Sequence, residues 1–308
     1  MSATTHPSSK GSHGGRILVI ATHTFTQLAR MKVFYFLAIF AVIAIASNFF
    51  DLPQHQGPES AGTNVLGSIK SWSLGAMTLF SVVLSVVATA LLLPKDIEDR
   101  TLYTILAKPV PRLDYLTGKL LGVLLLVLVS LALMDVLMTL VLQIRTAMVV
   151  EQQTQLAAAA GYTPDAIASL RRETLANGPN LSLQGAVLAV FLRASIMASL
   201  ALLISTFSTS TLFTTIVSFM VYFIGHFQAD ARDFYLQAGQ AGESGLSRVA
   251  ALLVSLVLPD FQLFNVIDAV IEGQALPLLM LGKLALVGLY YALFFTLASW
   301  WVFSDKEF

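Results

Sequence analysis

The chain has 308 residues, of which 56% are hydrophobic and 12% charged, about half the charged fraction of an ordinary soluble domain. Formal net charge is +0 and cysteine is absent, so there is no overall basic field to attract nucleic acid, and disulfides, thiolate nucleophiles and cysteine metal sites are excluded. This is the composition of an all-α, polytopic membrane protein.

Residues 1–15 are polar and rich in Ser, Thr, Gly and His, with too little apolar content to pack, and are expected to form a disordered tail. From Arg16 to Arg30, the residues Arg16, His23, Gln27 and Arg30 fall on one helical face, and Ile17, Leu18, Ala21, Phe25 and Leu28 on the other. That periodicity predicts an amphipathic helix lying in the membrane surface; a soluble helix packed on a partner is the alternative. Six segments then approach or exceed the roughly 20 apolar residues of a spanning helix. They run from Val33 to Phe50, Trp72 to Leu93, Tyr115 to Ile144, Leu183 to Phe207, Thr211 to Gln228 and Leu276 to Phe303. The first span is read as uncleaved rather than as a signal peptide, because its apolar run continues past the small residues at 44–46. The stretch Gly62 to Ser68 has phosphate-loop glycine spacing but no lysine, and is read as an ordinary loop.

Six spans place both termini on one side. Arg16, Arg30, Lys32, Lys95, Arg100, Lys108, Arg112, Lys119 and Lys306 lie there, against Lys70, Arg145, Arg171, Arg172, Arg232 and Arg248 opposite, so the side of the termini is cytoplasmic. Outer segments cover 146–182 and 229–275. The first contains a short helix opened by Thr163-Pro164-Asp165 and closed by Asn177-Gly178-Pro179. The second contains the apolar run Leu246 to Leu258, too short to span, read as a re-entrant or interfacial helix before Pro259-Asp260; a seventh span would put the C-terminus outside.

The loop 94–114 is the most informative part of the chain. Leu102, Ile105 and Leu106 form an apolar stripe at helical spacing, and Asp96, Glu98, Asp99 and Arg100 crowd its start, where carboxylates favour the helix dipole. Pro109 and Pro111 then stop the helix. The pattern predicts a short rigid helix beneath two spans, a handle by which a partner could move them.

Glu98-x-x-Thr101-Leu102, Ile105-Leu106, Lys108-Pro109-Val110, Arg112, Tyr115-Leu116 and Gly118-Lys119 resemble the first cytoplasmic loop of ABC-2 type transporter permeases. The resemblance implies a coupling helix that sits in a groove of an ATP-binding subunit, with Glu98, Asp99, Arg100 and Thr101 making polar contacts and Leu102, Ile105 and Leu106 filling the groove. It also implies a second permease copy, ATP and magnesium held by the partner rather than this chain, export across a bacterial inner membrane, and no enzymatic activity in the chain itself. The rival reading is a membrane scaffold or assembly factor that transports nothing.

Charges inside spans are costly unless paired or hydrated. Asp135 in the third span and Arg193 in the fourth lie at comparable distances from the outer helix ends. An ion pair between them is geometrically plausible as a structural staple, and a place on the translocation path is the alternative. Gly118-x-x-x-Gly122, Ser81-x-x-x-Ser85 and Ser195-x-x-x-Ser199 place small residues a turn apart and support close helix packing. His226 reads as a satisfied histidine at a span end rather than a ligand.

Overall fold

The computed structural model describes residues 13–46, 58–98, 110–208, 210–238 and 257–305. Among these the secondary structure is entirely helical: α1 (His13–Ala29), α2 (Lys32–Ala46), α3 (Pro58–Glu98), α4 (Arg112–Ala159), α5 (Pro164–Ala176), α6 (Leu181–Phe207), α7 (Thr211–Ala238), a 3-10 turn (Gln262–Phe264), α8 (Ile267–Ile271) and α9 (Leu278–Ser304). Five helical segments, in α3, α4, α5–α6, α7 and α9, are long and apolar enough to cross a membrane, which makes the chain an all-α multi-pass membrane protein. The expected first span corresponds to α2, whose described part has 15 residues.

Several helices outrun their predicted limits. α3 begins at Pro58 rather than Trp72, so the glycine-spaced stretch Gly62 to Ser68 is helix and not loop. It also continues through Pro94 to Glu98, while α4 starts at Arg112. α4 runs unbroken for 48 residues, about 72 Å against about 30 Å of hydrocarbon. The predicted break after Ile144 is absent because 145–159 contains no glycine or proline. The helix stops at Gly161, where φ is 77°, a left-handed conformation that glycine adopts without a Cβ clash. Thr163 then caps α5 by accepting from the Ala166 amide at 3.4 Å, and Asn180 caps α6 by accepting from the Leu183 amide at 3.0 Å.

α6 is the central element, packed between α3 and α9. Its inward residues are small where neighbours press closest: Ala194, Ala198 and Ala201 are fully buried, as are Ser199 and, on α3, Ser81 and Ser85. Hydroxyls of Ser81, Ser195 and Ser199 turn back onto carbonyls of their own helices. The outer faces of α7 and α9 remain apolar, with Phe213, Met220, Phe223, Leu286, Leu293 and Trp301 exposed, as lipid contact requires.

α1 extends from His13, so three residues of the expected tail are helical. Rather than lying apart from the bundle, it runs beside the first turns of α4 in the same direction. His13 and Arg16 reach Asp114, Ile20 packs on Gly118, and Thr24 packs on Gly122. The groove exists because those two positions lack side chains. A Cβ at Gly122 would lie 2.6 Å from the Thr24 Cβ and 2.7 Å from the Ala21 carbonyl oxygen. The face that docks is centred on Ala21, Thr24 and Leu28, leaving Leu18, on the predicted apolar face, 64% exposed.

Gly122→Val should therefore push α1 off α4 and destabilise the protein by about 1–3 kcal/mol, read as a lower unfolding midpoint in detergent. Gly14→Ala, whose Cβ meets nothing within 4 Å, should leave the midpoint unchanged or slightly raised.

Candidate functional site

Of the residues assigned to the coupling helix, Glu98 is the last residue of α3; Asp99, Arg100, Thr101, Leu102, Ile105 and Leu106 lie outside the described residues. The two ends of that loop are described. They are tied together by a charged frame.

On one side, Asp96 in the last turn of α3 is buried. Its Oδ2 accepts from the Lys119 ammonium at 2.7 Å and from the Tyr115 hydroxyl at 2.5 Å, both from α4. The Lys119 ammonium also sits 5.7 Å from the centre of the Tyr115 ring. Side chains of Lys119 and Asp96 are 4% and 8% exposed, so neither charge is solvated by bulk water. Their attraction offsets a large desolvation cost only while both are present.

The frame continues outward from α4. Tyr115 stacks on Phe303 of α9 with ring centres 6.2 Å apart. Arg112 donates from Nη1 to the carbonyls of Phe303 at 2.7 Å and Ser304 at 2.5 Å, and its guanidinium lies 5.9 Å over the Phe303 ring. A cation thus meets carbonyls at the C-terminal end of α9, where the helix dipole is negative. Asp114 sits in the first turn of α4, where the dipole favours an anion, and receives Arg16 at 3.4 Å and His13 at 3.0 Å from α1. Four helices, α1, α3, α4 and α9, are therefore fixed to one another around the loop.

Arg112, Tyr115 and Lys119 stand in the sequence as motif residues without assigned partners. A lysine inside an apolar run demands a counter-ion, and Asp96 is the carboxylate that faces it once α3 and α4 fold antiparallel across the loop. The spacing signals the need for a counter-ion; which carboxylate of the loop supplies it is decided by how far α3 runs.

Asp135 and Arg193 do not pair. Asp135 accepts from the Gln184 amide at 3.1 Å, three residues into α6, whereas Arg193 lies twelve residues in, about 18 Å along the helix. The two residues occupy different depths, because the extension of α4 places Asp135 level with the start of α6. Arg193 instead donates from Nη2 to the Phe261 carbonyl at 3.1 Å.

That contact lies just beyond the expected re-entrant run Leu246 to Leu258, most of which, with the rest of 239–256, lies outside the described residues. Between Leu258 and Gln262 the backbone is not helical, and non-helical backbone among apolar helices must find partners for its amides and carbonyls. The Phe261 amide donates to the Gly225 carbonyl at 3.2 Å, and Tyr291 donates to the Leu258 carbonyl at 3.3 Å. The Gln262 amide is met by the Asp260 carboxylate at 3.0 Å, and the Gln262 side chain donates to the His226 carbonyl at 2.6 Å. Gly225 permits the approach, since a Cβ there would lie 2.6 Å from the Pro259 oxygen and the Phe261 ring. His226 keeps its Nδ1 3.0 Å from the Tyr222 carbonyl and packs its ring on Tyr222 and Phe261.

Helix content, apolar length and polar groups met from within define a multi-pass membrane protein. No family model matches the chain, and no curated protein does.

Replacing Lys119 with Ala strands a buried carboxylate and should cost about 3–5 kcal/mol. The double replacement Asp96→Leu with Lys119→Met removes both charges and should fall much closer to wild type. Unfolding titrations in mixed micelles, run as a double-mutant cycle, measure the difference.

Proposed function

We propose that this chain is the permease subunit of an ATP-driven transporter of the ABC-2 type. On this reading it crosses the inner membrane of a bacterium six times with both termini in the cytoplasm. It pairs with a second permease copy and is driven by two separate ATP-binding subunits, where ATP and magnesium are held. Export is the direction that the loop resemblance favours.

The observation that carries the reading is the frame around the loop. A segment that only joins two spans has no use for a buried Asp96–Lys119–Tyr115 cluster behind it, or for further joints to α1 and α9. A segment that receives a mechanical input does. Closure of an ATP-binding dimer around Leu102, Ile105 and Leu106, with Glu98, Asp99, Arg100 and Thr101 in polar contact, pushes on α3 and α4 together. The frame prevents the push from being absorbed by sliding between helices. α9 and α1 move with α4, and the two permease copies alternate between inward and outward exposure.

Purification from the native membrane in mild detergent tests this. The wild type should bring an ATP-binding subunit with it, and Leu102→Asp with Leu106→Asp should lose that subunit while the permease still inserts and folds. An intact wild type that co-purifies with no ATPase would instead favour a non-transporting scaffold.

A further inference from the structure

We propose that Arg193 is the anion-binding residue of the bundle interior, taking a carboxylate or phosphate group borne on an apolar molecule. The inference rests on the transport reading only in treating that molecule as cargo; the binding site stands on its own geometry.

Arg193 is 5% exposed and lies deep along an apolar helix. A guanidinium does not give up its proton in proteins, so its charge has to be met where it sits. Among the described residues no carboxylate meets it. Asp135 is held by Gln184, and the neighbouring Asp260 accepts from the Gln262 amide. What Arg193 has is the Phe261 carbonyl on Nη2 and a hydrogen bond with the Tyr222 hydroxyl, both uncharged oxygens. Its Nε is buried and has no hydrogen-bond partner.

The Nε edge of a guanidinium matches the spacing of carboxylate and phosphate oxygens. A backbone carbonyl supplies one oxygen and only a partial charge. An incoming anion is therefore a better partner than Phe261, and it can displace that carbonyl. The displaced stretch, being non-helical, loses its bond to α6 when the exchange occurs. The surroundings select the rest of the ligand: the Tyr222 and Phe261 rings pack 5.3 Å apart and the His226 and Phe261 rings 5.8 Å apart, a wall suited to an apolar body behind the charged group. The class is an anionic amphiphile, either a lipid by its headgroup or a free amphiphilic acid.

The test uses full-length protein in phosphatidylcholine nanodiscs, with thermal unfolding as the readout of binding. Dodecyl phosphate should raise the wild-type midpoint saturably, while dodecyl maltoside, the neutral control, should not. Arg193→Gln should abolish the response. Arg193→Lys keeps a charge for the Phe261 carbonyl but lacks the Nε edge, and should weaken the apparent affinity at least about tenfold; it decides the matter if the glutamine variant does not fold. Stabilisation by phosphatidylglycerol in the nanodisc, without a response to dodecyl phosphate, and lost in Arg193→Lys, identifies a lipid headgroup as the occupant. A response equal in wild type and Arg193→Lys overturns the proposal, as does no response to any anion: Arg193 is then a clamp for Phe261 alone. No ATPase enters this assay. Anion binding without a co-purifying ATPase would sink the transporter reading and leave the site, and the reverse result would sink the site and leave the transporter.

Discussion

A polar group carried into an apolar bundle has to find its partner inside the bundle, and that constraint organises this molecule. Water is not at hand to satisfy a displaced amide or an isolated charge, so each must be answered by a residue on a neighbouring helix. Asp96 is answered by Lys119 and Tyr115, Asp114 by Arg16 and His13, and Asp135 by Gln184. The non-helical stretch from Leu258 to Gln262 is answered by Arg193, Gly225, His226 and Tyr291. These contacts do what undirected apolar packing between helices cannot. They fix which helix meets which, and at what height.

The partners fall into two layers with different chemistry. At the end that carries the loop, the groups are oppositely charged, sit near helix termini and gain from helix dipoles. They make a stiff frame. Deeper in, around Arg193, the cation is met by carbonyl and hydroxyl oxygens and no counter-charge from the described residues. That layer is polar without being neutral, and on the transport reading proposed above it is where cargo that lipid would reject is held. Helix α6 joins the layers, since it packs on both α3 and α9 and presents Arg193 to the stretch leading into α9.

Glycine and small residues make the frame geometrically possible. α1 reaches Asp114 because Gly118 and Gly122 open a groove along α4, and Phe261 reaches the Gly225 carbonyl because Gly225 has no side chain to block it. The Gly-x-x-x-Gly spacing was visible in the sequence as a packing signal. Its partner was not, since an amphipathic helix of this composition is equally at home on a bilayer surface and in a helical groove.

The sequence by itself determined the class of the protein: long apolar runs force helices, and caps such as Thr163 and Asn180 mark where some of them begin. It also marked the loop and the deep charges as the places where chemistry is concentrated. Only the tertiary structure decided the pairings. Asp135 and Arg193 were matched on equal distances from apolar-run ends, but α4 continues 15 residues past Ile144, to Ala159, which shifts its register against α6 and separates the two side chains. Lys119 found Asp96 because α3 also overran its apolar limit and carried the carboxylate down to meet it. Apolar length fixes that a helix exists. Where it stops depends on turn residues and on the neighbours it meets, and that stopping point sets which charges face each other.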